Sequence, residues 1–440
     1  MNINILHLII LIIIIGLIIE SNYTDIKIWI LNRLVVMRGI LAPNCFWYKI
    51  SDLILEDGAG VNLYNDLKEK EGNFPLTTQF NEPIYLVNNV NHIKIILDNS
   101  PTIFGVGKLK KTFFSSFMEK NVGVSQGCPW KRRRRINEVA LDTDKLHQHS
   151  DVYNEYLQHY INKWKDKSKL NYSDFLQLGR YMVAKIVFGV DSVPEDVFNV
   201  FSEANSISFI DPYFQIDSGI MNNYLKVLNY YIDNPQPNSL VERCLSVSND
   251  REEIIHQIPH FIFPLVGLYI TTIPRILVLL FNHKHVFEKV VKEINSVSDP
   301  HELSYTRQCI METVRLINPL ITTFRSLLQD FTFDNKYSFK KGAQFLILNN
   351  PVLREKEYFE KPDQFIPERW TPEMEKSYYA ISFNQGPQRC PGKELVIYLA
   401  QSFLYNFIKI KKFTTVENVK VNKHYIPQII NPCTIYFEFK

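Results

Sequence analysis

The hydrophobic pattern divides the chain into an apolar leader and a long mixed body. Met1 to Ile19 carries no charged side chain, and Ile5 to Ile19 is almost all Ile and Leu. A helix of that length spans about 28 Å, enough to cross a bilayer core. There is no basic start, and Gly16-Leu-Ile-Ile-Glu20 is a poor cleavage site, so the segment reads as an uncleaved anchor and not a signal peptide. Lys27, Arg33 and Arg38 follow it and place the body on the cytoplasmic side. The division expected is an anchor over 1–22, an interfacial linker over 23–45 with a lone Pro43, and a body over 46–440.

Within the body the apolar spacing changes period. Asp52 to Glu71 suggests a helix broken by Gly58 and Gly60. Phe80 to Val87 alternates as a strand or two, with a turn at Asn81-Glu-Pro83, and Val90 to Asn99 is a short helix. Thr102 to Phe117, rich in Phe and Gly, reads as a loop, and Gly105-Val-Gly107 lacks the third glycine of a dinucleotide loop. Asp151 to Leu228 reads as several helices, ended by a break at Asp233-Asn-Pro-Gln-Pro-Asn238. Arg251 to Phe281 predicts a long apolar core helix that Pro259, Pro264 and Pro274 would kink or break. Helices over His283–Ile294 and Leu303–Ile317 follow. Next come strands and turns from Pro319 to Leu348, a helix over Lys393–Phe403, and a closing hairpin within Tyr425–Phe439. The class is mainly α with a smaller β region.

Composition narrows the function less than the pattern does. A net charge of +3 over 440 residues gives no argument for nucleic acid. The six cysteines, at 45, 128, 244, 309, 390 and 433, show no CxxC or zinc spacing and read as reduced thiols. His147 and His149 lack a third ligand and read as surface residues. His256 and His260 flank Pro259 and do not form a zinc motif.

Three constellations carry chemistry. Phe383-Asn-Gln-Gly-Pro-Gln-Arg-Cys-Pro-Gly392 is a turn-rich loop feeding a helix, which sets Cys390 at a helix N-terminus, where a thiolate able to ligate a metal is favoured. Trp130 and Arg134 lie four apart on one helix face, inside the basic run Lys131 to Arg135. Glu312 and Arg315 lie three apart on a helix, with Pro367-Glu-Arg369 downstream.

Together these motifs resemble the cytochrome P-450 family, from about residue 60 to the end. Phe383, Gly386, Cys390 and Gly392 match its haem loop; the family's basic residue falls on Gln388, with Arg389 beside it. The resemblance implies that Cys390 is the axial ligand of a haem b iron. It also implies that Trp130, Arg134 and Arg325 meet the propionates, that Arg389 helps hold the cofactor, and that Glu312, Arg315 and Arg369 brace the loop. The implied activity is monooxygenation of an apolar small molecule, with electrons from an NADPH-dependent reductase, on a membrane such as the endoplasmic reticulum. In the family the long helix presents an acid and a Thr. One register puts Thr271 at the Thr and Ile270 at the acid. The other puts Gly267 at the acid and Leu268 or Tyr269 at the Thr. Neither supplies the acid, so an oxygen-independent, peroxide-rearranging haem enzyme and a catalytically impaired haem-binding paralogue stay open beside the monooxygenase.

Overall fold

The computed structural model describes residues 72–439, apart from 80–81, 208–214, 320–321, 412–415 and 428–429. The expected anchor, the linker and the helix over Asp52–Glu71 lie outside the described residues. The longer helices in chain order are α1 Val90–Asp98, α2 Lys108–Met118, α3 Gly127–Ala140, α4 Ser150–Asn162, α5 Tyr172–Val183, α6 Asp196–Ile207, α7 Ser218–Asp233 and α8 Leu240–Leu245. They continue with α9 Arg251–Asn282, α10 Lys284–Ser296, α11 Ser304–Leu316 and α12 Lys393–Ile410. The strands are β1 Leu76–Gln79, β2 Glu82–Val87, β3 Phe104–Val106, β4 Lys169–Asn171, β5 Thr322–Leu327, β6 Phe331–Phe333, β7 Tyr337–Phe339, β8 Gln344–Leu348, β9 Val416–Glu417 and β10 Tyr436–Phe439.

One sheet runs β1-β2-β8-β5-β3, with β2 and β8 parallel and its other neighbours antiparallel. It packs on α1 through a small core that includes Phe74, Ile93, Ile96, Phe104, Phe333 and Phe345. A much larger core joins the helices around α9 and α12. The closing hairpin expected over Tyr425–Phe439 does not form as such. Its last residues, β10, pair with the distant β4 and with β9, because Phe437 is drawn onto Leu170 and the main core. The segment expected to be a loop at Thr102–Phe117 is a strand followed by a helix. Phe114, Phe117 and Met118 are buried and fall at helical spacing. Its glycines serve that packing: a Cβ on Gly107 would stand 2.7 Å from Phe324 Cβ, so α2 starts pressed against β5.

The central helix keeps its three prolines. Pro259 opens a new segment after a one-turn break at His256–Gln257, where it needs no N–H. Gln257 fastens that break. Its Nε2 donates to the Lys120 and Glu253 carbonyls, while its Oε1 accepts from Val122 N and Asn137 Nδ2. Ahead of Pro274, residues Leu268–Thr272 widen into a π turn. The Ile273 N–H then reaches Leu268 O, so the helix runs on past a proline that cannot donate. By length and apolarity α9 is the one described helix able to cross a membrane, but 83% of its most apolar window is buried inside the protein. Cys128, Cys244, Cys309 and Cys390 are free, whereas Cys433 is disulfide-bonded, in contrast to the all-reduced reading.

Candidate active site

The loop before α12 is built around Cys390. Its backbone N–H bonds Phe383 O at 2.9 Å, and Arg389 N bonds Gly386 O at 3.0 Å, closing the turn. Gly386 has φ +70°, and a Cβ there would lie 2.4 Å from Leu97 O, so the loop presses on the end of α1 where only glycine fits. Gly392 is less demanding: the nearest atom to its Cβ position is Leu141 Cδ1 at 3.7 Å. Arg134 Nη1 donates to Arg389 O at 2.7 Å and Thr143 Oγ1 to Pro391 O at 2.9 Å, which ties α3 and its following turn to the loop.

Cys390 lies deep in the protein yet keeps part of its surface accessible, so its thiol borders an internal space. The helix N-terminus alone does not make it a thiolate. Burial pushes the thiol above its ordinary value, and the Gly392 N–H, Arg134 and Lys393 only partly offset that. A metal cation bound at the sulfur would deprotonate it.

Behind the loop the expected ion cluster is complete. Glu312 and Arg315 are wholly buried. Glu312 accepts from Arg315 Nε and Nη2, both at 2.8 Å, and from Arg369 Nε at 3.0 Å and Ile366 N at 3.1 Å. Trp370 Nε1 adds a further bond at 2.9 Å that the spacing of Glu312, Arg315 and Arg369 did not indicate. Burial would raise the Glu312 carboxyl. The Arg315 charge and hydrogen bonds, then Arg369, outweigh it and hold the carboxyl below its usual value. A second network, also not read from the sequence, clamps the start of α12: Arg307 bonds both Glu375 and Glu394, and Lys393 Nζ bonds Glu375 at 2.6 Å.

The other expected residues separate. Arg134 is buried; its Nε bonds Glu138 at 2.8 Å, but its Nη2 is buried with no partner. Trp130 is half-buried one turn before it on the same helix. Arg325 is buried on β5, bonded to Ser100 Oγ at 3.0 Å and Phe324 O at 2.8 Å, and burial lowers it to about 10. Arg389 does not join this set. Its guanidinium is paired with Asp144 and 42% exposed. His147, read as a surface residue, is buried. One ring nitrogen lies 3.0 Å from Ala140 O and the other accepts from His149 N. No group of three metal-ligating side chains occurs among the described residues.

On α9, the residues from 257 to 280 are buried except His260, Phe263, Pro264 and Gly267. These fall on one stripe, and no atom lies within 4 Å of a Cβ placed on Gly267, so the stripe borders open space. Thr271 continues it one turn on, its Oγ1 donating to Gly267 O at 2.6 Å. Leu268, Tyr269 and Ile270 point into packed core, with Tyr269 against Gly179 of α5. Of the two registers, the geometry therefore favours Thr271.

A predominantly helical body with a smaller sheet, a turn-rich Cys loop feeding a long helix, a buried Glu–Arg–Arg cluster and a long core helix define the class of fold. The family model described as "Cytochrome P450" matches residues 218–434, about half of the chain. The fold is also that of a retinoic acid-bound cyanobacterial CYP120A1, with a TM-score of 0.68 at 16% identity over 89% of this chain and 96% of that one. Among curated proteins the chain is 28% identical over 167 residues to a beta-amyrin 28-monooxygenase of Solanum lycopersicum, covering 34% of this chain and 35% of the relative. It is 29% identical over 167 residues to a taxane 13-alpha-hydroxylase of Taxus cuspidata, covering 34% of each. The matches thus span about a third of the length of these relatives. The chain belongs to the cytochrome P450 family.

Proposed function

We propose that the protein is a haem-thiolate monooxygenase that oxidises an apolar small molecule with electrons from an NADPH-dependent reductase. The observation that carries the reading is Cys390: a deep thiol on a rigid loop, bordering an interior whose rim holds buried cationic side chains. The residues fit an iron protoporphyrin. Arg134 Nη2 is a buried donor without an acceptor, and among the described residues no acid bears on buried Arg325. A pair of propionates would satisfy both. Gln388, half-buried, offers only a neutral donor.

The bound haem would supply oxygen activation. The chain's own part is to hold the Cys390 sulfur in place, to keep water out with the apolar face of α9, and to offer the Thr271 hydroxyl as a proton donor. In the structure that hydroxyl gives its one proton to Gly267 O, which fixes Oγ1 beside the open stripe as an acceptor, and it would exchange this bond to donate there. The relatives named for beta-amyrin and taxane chemistry support an apolar substrate. Exposed Lys131 and Arg135 on α3 suit an acidic reductase surface, and the apolar leader suits a membrane such as the endoplasmic reticulum.

In the reduced, carbon-monoxide-treated protein we expect the red-shifted Soret band of a thiolate complex, lost in Cys390→Ala. An unchanged spectrum in that variant overturns the assignment. The stripe His260, Phe263, Pro264, Gly267 and Thr271 contains no carboxylate, which favours one second reading, an oxygen-independent enzyme that rearranges peroxides. Turnover with an organic peroxide but not with reductase and NADPH would select it.

A further inference from the structure

We infer that Lys110, with His260 beside it, supplies the charge that Gln388 lacks, and that the two bind a carboxylate at the edge of the tetrapyrrole. The inference rests on the haem-thiolate reading. Of the described lysines on α2, Lys108 and Lys111 are exposed, whereas Lys110 turns inward and is half-buried. Its Nζ stands 5.9 Å from the Phe114 ring; Phe114 stacks on Phe263 at 6.0 Å, and Phe263 on His260 at 5.7 Å. An aromatic bridge therefore joins the inward lysine of α2 to the open stripe of α9. The start of α2 is pressed on β5 beside Arg325.

Lys110 feels the Arg325 charge and His260 feels Lys110 and Arg134, and among the described residues these groups share no acid. Burial, then Arg325, lowers Lys110 to about 8. Burial, then Lys110 and Arg134, lowers His260 to about 3, and its Nδ1 is buried without a partner. Arg134 also bears on Cys390, which ties this rim to the thiol. Only Arg134 has a carboxylate, Glu138, and that leaves its Nη2 open. Like charges held together away from water are costly unless an anion joins them. A dianionic guest removes that cost, and the side chain at 388 then need not be basic.

The test is the rate at which haem leaves the holoprotein for excess apomyoglobin. Lys110→Met should release haem at least ten-fold faster, Lys110→Arg should not, and adding Gln388→Arg to Lys110→Met should restore slow release. Reconstituted with haem dimethyl ester, the native protein and Lys110→Met should release the cofactor at the same rate. Equal release of unmodified haem by the two proteins overturns the inference. So does slow haem release by Lys110→Met together with tighter binding of dodecanoate than of methyl dodecanoate by the native protein but not by the variant, because the carboxylate would then belong to a substrate. Absence of any Soret band in the native protein would instead remove the underlying haem reading.

Discussion

Two polar regions flank Cys390, and they differ in how completely their groups are paired. Behind the loop, Glu312 is saturated by Arg315, Arg369, Trp370 and the Ile366 N–H, with the carboxylate wholly buried. On the rim, Arg134 Nη2 and His260 Nδ1 are buried and unpaired, and Lys110 and Arg325 face no acid among the described residues. A closed network gains nothing from a guest and serves to fix shape. An open one keeps desolvated donors waiting, which is tolerable when something arrives to satisfy them. On the proposed reading, the chain uses one set of buried charges to hold shape and the other to receive a ligand.

The sharpest way to break the comparison is to open the closed side. Glu312→Gln keeps the shape but leaves two guanidiniums buried beside a neutral amide. Breaking a buried pair costs about 3–5 kcal/mol, a large share of the roughly 5–15 kcal/mol that holds a domain together. We expect the variant to be recovered in low yield and to unfold at much lower denaturant. Loss of less than about 1 kcal/mol in chemical denaturation would show that the cluster does not brace the fold.

A second prediction concerns another fully partnered buried group, His147 just past the end of α3. His147 is held neutral: burial lowers it to about 4 against the opposing Ala140 carbonyl and Asp142. The unfolded chain, with an ordinary histidine near 6.5, binds the proton first as pH falls. Stability is therefore full above about pH 6.5 and is lost progressively down to about pH 4, by about 3.5 kcal/mol at about 1.4 kcal/mol per pH unit. Asp142, which sits below its usual value despite burial, adds a loss of the same sign at lower pH. The His147→Gln variant should flatten the upper window and leave the lower one. An equal slope in both proteins between pH 6.5 and 4 would count against a buried neutral imidazole.

These regions also differ in how far the sequence revealed them. The Glu312, Arg315 and Arg369 cluster was legible because its first two members are one helical turn apart and its third sits in a recognisable Pro-Glu-Arg turn. Trp370, the very next residue, was not, since no spacing rule says where an indole N–H will point. The rim was read in part. Arg134 and Arg325 were anticipated by family position, but Lys110 was hidden in a segment taken for a loop. What orients it is Phe114 stacked on Phe263, a contact between α2 and α9 that local pattern does not encode. Arg389, next to Cys390 in sequence, pairs with Asp144 on the turn after α3, another contact that local pattern does not encode. The prolines of α9 pointed to kinks or breaks: the helix does break for one turn ahead of Pro259, whereas a π turn absorbs Pro274 and the helix runs on there.

The smallest expected stability effect, on the open side, is the most informative about chemistry. Thr271 Oγ1 bonds only within its own helix, to Gly267 O, apart from a long 3.5 Å contact with Thr272. Such a back-bond adds little to stability, so Thr271→Val should change it by less than about 1 kcal/mol. If the hydroxyl delivers protons on the open stripe, the same change should raise the hydrogen peroxide released per NADPH consumed, with substrate binding unaltered. A variant with unchanged peroxide release and a stability loss above about 2 kcal/mol would assign Thr271 to the packing of the π turn. The contrast with Glu312 would then narrow, because both sides of the loop would be using their buried polar groups to hold shape.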